Sequence, residues 1–349
     1  MNTAIRIVEK GLVPKPLLRR GIRRLLKARL QEQERRFQPH RHLALQRWVD
    51  EMRRAPVALV PDKANEQHYE VPAAFYDLVL GPRRKYSSAY YPDEHTTLEE
   101  AEVAMLARTV AMADLQDGQD ILELGCGWGS LSLYMAETFP RNQIVGVSNS
   151  NTQRAFIMGE AERRGLSNLS ILTRDMNAFE TQQRFDRIVS VEMFEHMRNW
   201  EELLRRAATW MRPDGRLFLH VFAHREYAYP FEVRDSSDWM SEYFFTGGMM
   251  PSHDLLDHLD IPFEVEERQA ISGMHYARTA EDWLRNQEKR AESVLPILAE
   301  TYGEHEASTW FHRWRVFFLA CAELFAYDNG SQWLVSHNRL RLKASETNA

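Results

Sequence analysis

The chain has 349 residues, 44% of them hydrophobic and 27% charged, with a formal net charge of -6 at pH 7, which suits one large α/β domain with additions or two small domains. This balance gives no global attraction to nucleic acid or anionic lipid, and no run approaches the roughly 18 apolar residues of a membrane span. Residues 1–15 lack the succession of a signal peptide, and Cys126 and Cys321 make neither a disulfide framework nor a zinc-site spacing, so a cytoplasmic protein with no metal and no nucleic-acid partner is expected.

The first stretch, 15–55, opens KPLLRRGIRRLLKARLQEQERRF, with apolar residues at helical spacing and Arg and Lys between them. It reads as an amphipathic helix packed on the main domain with its arginines in solvent; the sharper alternative is a membrane-surface helix. Residues 56–63 read as a linker, and 65–91 form an aromatic-rich segment. Residues 97–113, TLEEAEVAMLARTVAMA, predict a helix.

The period then changes. Short apolar strands are expected at 120–124, 143–147, 169–173, 187–191 and 216–221, with helices at 131–139, 151–164 and 200–211. That alternation predicts a parallel sheet covered on both faces, in a doubly wound order. The last third, from about Asp254, reads as mostly helical after a strand-like piece at 261–270.

The strongest signal is Glu123-Leu124-Gly125-Cys126-Gly127-Trp128-Gly129. A glycine turn leaving the first strand lets the backbone approach a ligand with no Cβ in the way, at the place where open α/β sheets bind ligands. The spacing G-x-G-x-G, with Glu123 two positions ahead, differs from the dinucleotide fingerprint. It resembles motif I of class I methyltransferases, in which the acid and the turn hold the methionine part of S-adenosylmethionine. At the next strand ends, Asn149 and Gln153 offer amides to ribose hydroxyls, Asp175 a carboxylate to an adenine amino group, and Met176 an apolar contact to its ring.

After the fourth strand comes Glu192-Met193-Phe194-Glu195-His196-Met197. Methyl transfer needs an electron-rich acceptor held in line with its lone pair free. A protonated amine must lose its proton, and a histidine flanked by acids suits that task, the acids raising its basicity. His220 closes the fifth strand, with His224 nearby. The aromatic stretch that follows, Tyr227, Trp239, Phe244 and Phe245 among its members, supplies faces for an aromatic or cationic substrate.

With these residues in view, the chain resembles the cyclopropane-fatty-acid synthase superfamily, and within it the coclaurine N-methyltransferase branch. The similarity runs through LELGCGWGS, GVSNSNTQ, FDRIVSVEMFEHM, HVFAHREYAYPFE and FAYDNGSQW. It implies a class I, Rossmann-like methyltransferase core at 64–253, an N-terminal helical extension at 1–63 and a largely helical C-terminal cap at 254–349. It implies that Tyr86 and Ser87, Glu123, Gly125, Gly127, Gly129, Asn149, Gln153, Asp175 and Met176 line the S-adenosylmethionine site. Glu192, Glu195, His196 and His220 would form the acid/base cluster. In the lipid-modifying relatives a bicarbonate acts as base, held by groups that include a cysteine, here Ser88, and a C-terminal tyrosine, here displaced by Val316 and Phe317. Those departures turn the reading toward an N-methyltransferase for a small arylalkyl amine such as a benzylisoquinoline. The alternatives are a cyclopropane-fatty-acyl-phospholipid synthase or related lipid methyltransferase, and a silent cofactor-binding scaffold. Weak membrane-surface contact through the basic helix and a homodimer complete the expected partnerships.

Overall fold

The computed structural model describes residues 3–59, 71–234 and 238–344. Part of the expected linker and the start of the aromatic segment, residues 60–70, lie outside them. The chain opens with α1 (Thr3–Glu9), α2 (Lys15–Phe37) and α3 (Arg41–Arg54). The basic stretch is therefore two helices. Pro39 forces the break, because the residue before a proline is pushed out of the helical region, and Gln38 is extended at φ -88°, ψ 147°.

Next come α4 (Ala73–Val79) and α5 (Leu98–Met112). Thr97 starts α5 with a reciprocal cap: its side chain accepts from Glu100 N at 3.3 Å, and Glu100 accepts from Thr97 N at 2.8 Å, satisfying two orphan donors. The alternating region gives β1 (Asp120–Leu124), α6 (Ser130–Thr138), β2 (Gln143–Ser148), α7 (Asn151–Arg163), β3 (Leu169–Thr173), β4 (Phe185–Val191), α8 (Trp200–Trp210) and β5 (Met211–His224). A small ribbon, β6 (Tyr229–Pro230) with β7 (Met249–Met250), flanks α9 (Trp239–Tyr243). The chain then runs through β8 (Phe263–Ile271), α10 (Gly273–Lys289), α11 (Ala291–Tyr302), α12 (Glu304–Ala326) and β9 (Trp333–Leu342).

The main sheet has the order β3-β2-β1-β4-β5-β9-β8. The first five strands are parallel, and β9 runs antiparallel to both β5 and β8. The doubly wound α/β class expected from the sequence is the one formed. Strand direction of progression reverses around β1, so the switch-point crevice lies outside the carboxyl ends of β1, β2 and β4. The last third is more than a cap: it gives the sheet two strands, so the division expected at 253/254 falls within one sheet. Strand β9, which the helical reading of this region missed, lies between β5 and β8.

Helix α2 is docked by charge. Arg19 donates to Glu281 at 2.6 Å and to Glu323 at 2.7 Å, Arg23 also binds Glu323, and Arg29 donates to Asp238 at 2.8 Å. The side chains of Glu323 and Asp238 are only 4% and 2% exposed, and buried carboxylates need such partners. The expectation that the arginines stand in solvent holds for Arg20 and Arg24 and for most of Arg23, which are exposed, and fails for the half-buried Arg19 and Arg29. Among the described residues, no helix is long and apolar enough to cross a membrane.

Candidate active site

The turn after β1 is pinned by Gly125 N and Cys126 N donating to Val147 O at 3.0 and 3.1 Å. Gly125 (φ +79°) cannot carry a Cβ, which would lie 2.5 Å from Met193 Cγ, whereas Gly127 (φ +51°) faces open space. Both line the cleft, together with Tyr86, Ser87, Glu123 and Gln153. Gly129 is not on the wall: it starts α6 at φ +79°, where a Cβ would meet Ile157 at 2.7 Å, so its need is packing. Glu123 is buried and accepts from the Ser132 hydroxyl; burial pushes it up to about 7.

The adjoining end of the cleft is lined by Asn149, Gln153, Asp175, Met176 and Met197. Gln153 is held by Ser148 Oγ donating to its Oε1 at 2.7 Å. Its buried amide nitrogen has no partner, which is an expensive state unless a ligand fills it. Asp175 spends one oxygen on Asn177 N, at 2.9 Å. A donor at Gln153, a carboxylate at Asp175, an apolar wall at Met176 and a Cβ-free turn at Gly127 fit the ribose, adenine and amino-acid parts of S-adenosylmethionine.

Beyond the turn, Glu192 sits at φ +49°, a left-handed conformation that costs on the order of 1–3 kcal/mol and clusters at functional sites. The carboxylate accepts from Ser88 N at 3.0 Å and from Tyr276 Oη at 2.6 Å, and meets His220 Nε2 at 3.1 Å. Burial pushes Glu192 up, with Lys85 opposing. Lys85 is fully buried, donates to Ser87 Oγ and Ser88 O at 2.5 and 2.7 Å, and is lowered by burial to about 8. Glu195 is buried; one oxygen accepts from Phe222 N at 2.7 Å, the other has no partner, and burial with the Glu192 charge pushes it well up. His196 lies on a single helical turn, Phe194–His196, and lines both ends of the cleft.

One expectation is reversed here. The flanking acids were expected to raise the basicity of His196; burial outweighs Glu192 and pulls it down to about 4. Tyr276, on α10, also reaches the cluster, its ring stacked on Phe325 at 4.1 Å. No local motif marks Tyr276 or Lys85, because each arrives from a different element. His220 lies behind Glu192, fully buried, and His224 is a turn anchor, accepting from Glu226 N and Tyr227 N at 2.9 Å.

Past Tyr276, Phe222, Phe245 and Cys321 the cleft meets a cavity of about 710 Å³ roofed by α2. Trp239 and Phe245 line it; Phe244 is fully buried against Phe317, and Tyr227 stacks on His224. Cys321 is buried, its thiol raised by burial, and stays inert.

A sheet of this order, with its glycine turn after the first strand, is the class I fold of S-adenosylmethionine-dependent methyltransferases, and this chain is one of them. Residues 60–333 match the model of the mycolic acid cyclopropane synthetase family, to which the chain belongs. It is 36% identical to (S)-coclaurine N-methyltransferase of Papaver somniferum over 95% of this chain and 96% of that protein. Identity to cyclopropane-fatty-acyl-phospholipid synthase of Escherichia coli (strain K12) is 30%, over 78% of this chain and 67% of that one. A crystal structure of coclaurine N-methyltransferase bound to N-methylheliamine and SAH superposes with a TM-score of 0.93 at 34% identity, covering 97% of this chain and 98% of that one.

Proposed function

We propose that the protein methylates the nitrogen of a benzylisoquinoline-like arylalkyl amine. The observation that carries this reading is a buried carboxylate, Glu192, which lines the cofactor cleft and is held by three partners, one of them Tyr276 at the junction between that cleft and an apolar, aromatic cavity. Bound S-adenosylmethionine supplies an electrophilic sulfonium methyl. Glu192 attracts the cationic form of the acceptor, and its three partners fix its orientation. Burial raises Glu192 and lowers His196, so Glu192 is the stronger base of the two and takes the proton that the nitrogen sheds. The nitrogen lone pair then forms the N–C bond as the C–S bond breaks. His196, neutral at pH 7, stands beside Phe245 at 6.1 Å and presents a wall that does not repel the acceptor. Trp239, Phe245 and Phe222 embrace the apolar body of the amine.

Replacing Glu192 by Gln tests the assignment. Turnover should fall far more than cofactor affinity, measured by calorimetry with S-adenosylhomocysteine; unchanged turnover in this variant removes it.

The volume of the cavity beneath α2 favours one second reading, an unsaturated acyl chain as acceptor, as in the Escherichia coli relative. Exposed Leu12, Leu17 and Leu25 beside exposed Arg20, Arg24 and Lys27 support a weak contact of α2 with a membrane surface. Binding to anionic vesicles that vanishes at high salt would bear that out. Two free buried thiols, Cys126 and Cys321, support the expected cytoplasmic setting.

A further inference from the structure

Behind Glu192 runs a chain of buried imidazoles that the proposed chemistry does not use directly. His220 and His337 are directly opposite each other on β5 and β9, and both are 0% exposed. His220 Nε2 lies 3.1 Å from Glu192 Oε1, and His337 Nε2 lies 3.0 Å from His220 Nδ1. The far nitrogen, His337 Nδ1, is buried with no partner. On its other side, Gln269 of β8 is the cross-strand neighbour of His337, and it accepts from Arg108 Nη2 at 2.5 Å. The charges that bear on the pair are thus Arg108 from α5, Lys85 beside the cleft and Glu192 itself; Phe218 closes the ring face at 5.0 Å.

Burial disfavours a charge on either imidazole, and with both rings neutral only two proton arrangements satisfy both contacts. In the first, His337 Nε2–H donates to His220 Nδ1, and His220 Nε2–H donates to an ionised Glu192, leaving a bare lone pair on His337 Nδ1. In the second, every hydrogen bond is reversed: Glu192 must carry a proton, and His337 Nδ1–H becomes a buried donor with no acceptor, close to the Arg108 cation. An unpaired buried N–H is costly, and a cation nearby disfavours it further, whereas a lone pair there is attracted. The first arrangement therefore prevails, and the direction of the chain is set at its outer end.

We propose that His337 is a positioning residue that locks His220 as the Nε2–H tautomer and thereby holds Glu192 in its ionised, proton-accepting form. This rests on the methyl-transfer reading of the cluster. The partner of a functional imidazole commonly fixes its tautomer in this way. Nothing in the local sequence marks His337, since it becomes adjacent to His220 only when β9 inserts beside β5.

The test uses the full-length protein and two variants, His337→Phe, which keeps a ring of similar shape against Phe218, and His337→Gln, whose amide N–H can replace the donor. Two readouts are taken: the pH profile of kcat/KM, and the tautomer of His220 from its ¹⁵N imidazole signals. Losing one hydrogen bond's worth of bias raises Glu192, so in His337→Phe the acidic limb should move to higher pH by roughly half to one unit. Activity on that limb should drop about 3- to 10-fold and recover as pH rises, with affinity for S-adenosylhomocysteine unchanged. His220 should lose its pure Nε2–H signature, and His337→Gln should restore both. An unmoved limb with an unchanged His220 tautomer in a folded His337→Phe overturns the proposal, as does a His337→Gln that behaves like Phe. If the wild-type protein methylates no amine, the reading of function fails, yet the ¹⁵N signals still decide the tautomer lock.

Discussion

Replacing Tyr276 by Phe removes one oxygen and little else. The Tyr276 ring is stacked on Phe325 at 4.1 Å and packed on Trp283 at 6.2 Å, contacts that a phenylalanine keeps, so the fold should survive. What is lost is the hydroxyl that donates to Glu192 Oε2 at 2.6 Å. A hydrogen bond to a charged group contributes about 1.5–3 kcal/mol, and each pKa unit corresponds to about 1.4 kcal/mol, so Glu192 should rise by about one to two units. The base works only when ionised, so activity is present above its pKa and lost as pH falls through it. In the variant that loss should begin about one to two units higher, and at a pH on the shifted limb kcat/KM should fall about 10- to 100-fold. The assay is initial-rate methyl transfer to the amine across the pH range, with calorimetry on S-adenosylhomocysteine as the control. An acidic limb that stays in place, with kcat/KM within about twofold of wild type, would refute the role given to Glu192; so would a loss that is equal at every pH.

Three other outcomes follow from the geometry. Gln153→Ala deletes a buried amide donor aimed into the ribose end of the cleft, and should weaken S-adenosylmethionine binding about 5- to 30-fold, the range of a hydrogen bond or two, while leaving the acceptor KM near wild type in a two-substrate kinetic analysis. Arg19→Ala with Arg23→Ala strands Glu323, whose side chain is 4% exposed. Because Arg23 itself is largely in solvent, the cost should be about 1–3 kcal/mol, read as a lower urea midpoint, earlier proteolysis within α2 and a raised acceptor KM. Glu102 is raised by burial to about 7, above the usual carboxylate range. Its folded form therefore stays protonated while the unfolded chain ionises, and the stability it contributes is full below about pH 4.5 and lost as pH rises toward 7. The difference in Tm between Glu102→Gln and wild type should accordingly shift in favour of the variant from pH 5 to 7.5, and a pH-independent difference would be the contrary result.

Much of the cofactor side was legible in the sequence because its signals are local. The glycine turn, Asn149 and Asp175 follow a strand within two residues and Gln153 lies in the first turn of the next helix, so strand periodicity alone places them along one edge of the sheet. Glu192, Glu195 and His196 fall within five residues for the same reason. The remainder of the cluster depends on contacts between distant segments. Tyr276 comes from α10, Lys85 from the loop before α5, and His337 from β9, a strand whose sequence WLVSHNRLRL alternates only loosely. The Asn329-Gly330 turn ahead of it was a usable strand signal, overridden by the strong helical pattern of α12. The sign at His196 was missed because a sequence displays the neighbouring acids but not the burial that outweighs them. Gly129 looks like its two companions in the motif, and only its approach to Ile157 shows that it serves packing. The arginines of α2 read as solvated because Glu281 and Glu323 are more than 250 residues away in the chain.

The most direct test of the account is a transfer assay with methyl-labelled S-adenosylmethionine. A panel of benzylisoquinolines and other arylalkyl amines is offered beside vesicles of unsaturated phospholipid, and products are identified by mass. Label on an amine nitrogen, favouring acceptors with an aromatic body that fills the cavity beneath α2, is the result the account predicts. Label only in the acyl chains, or in neither class of acceptor, would contradict it.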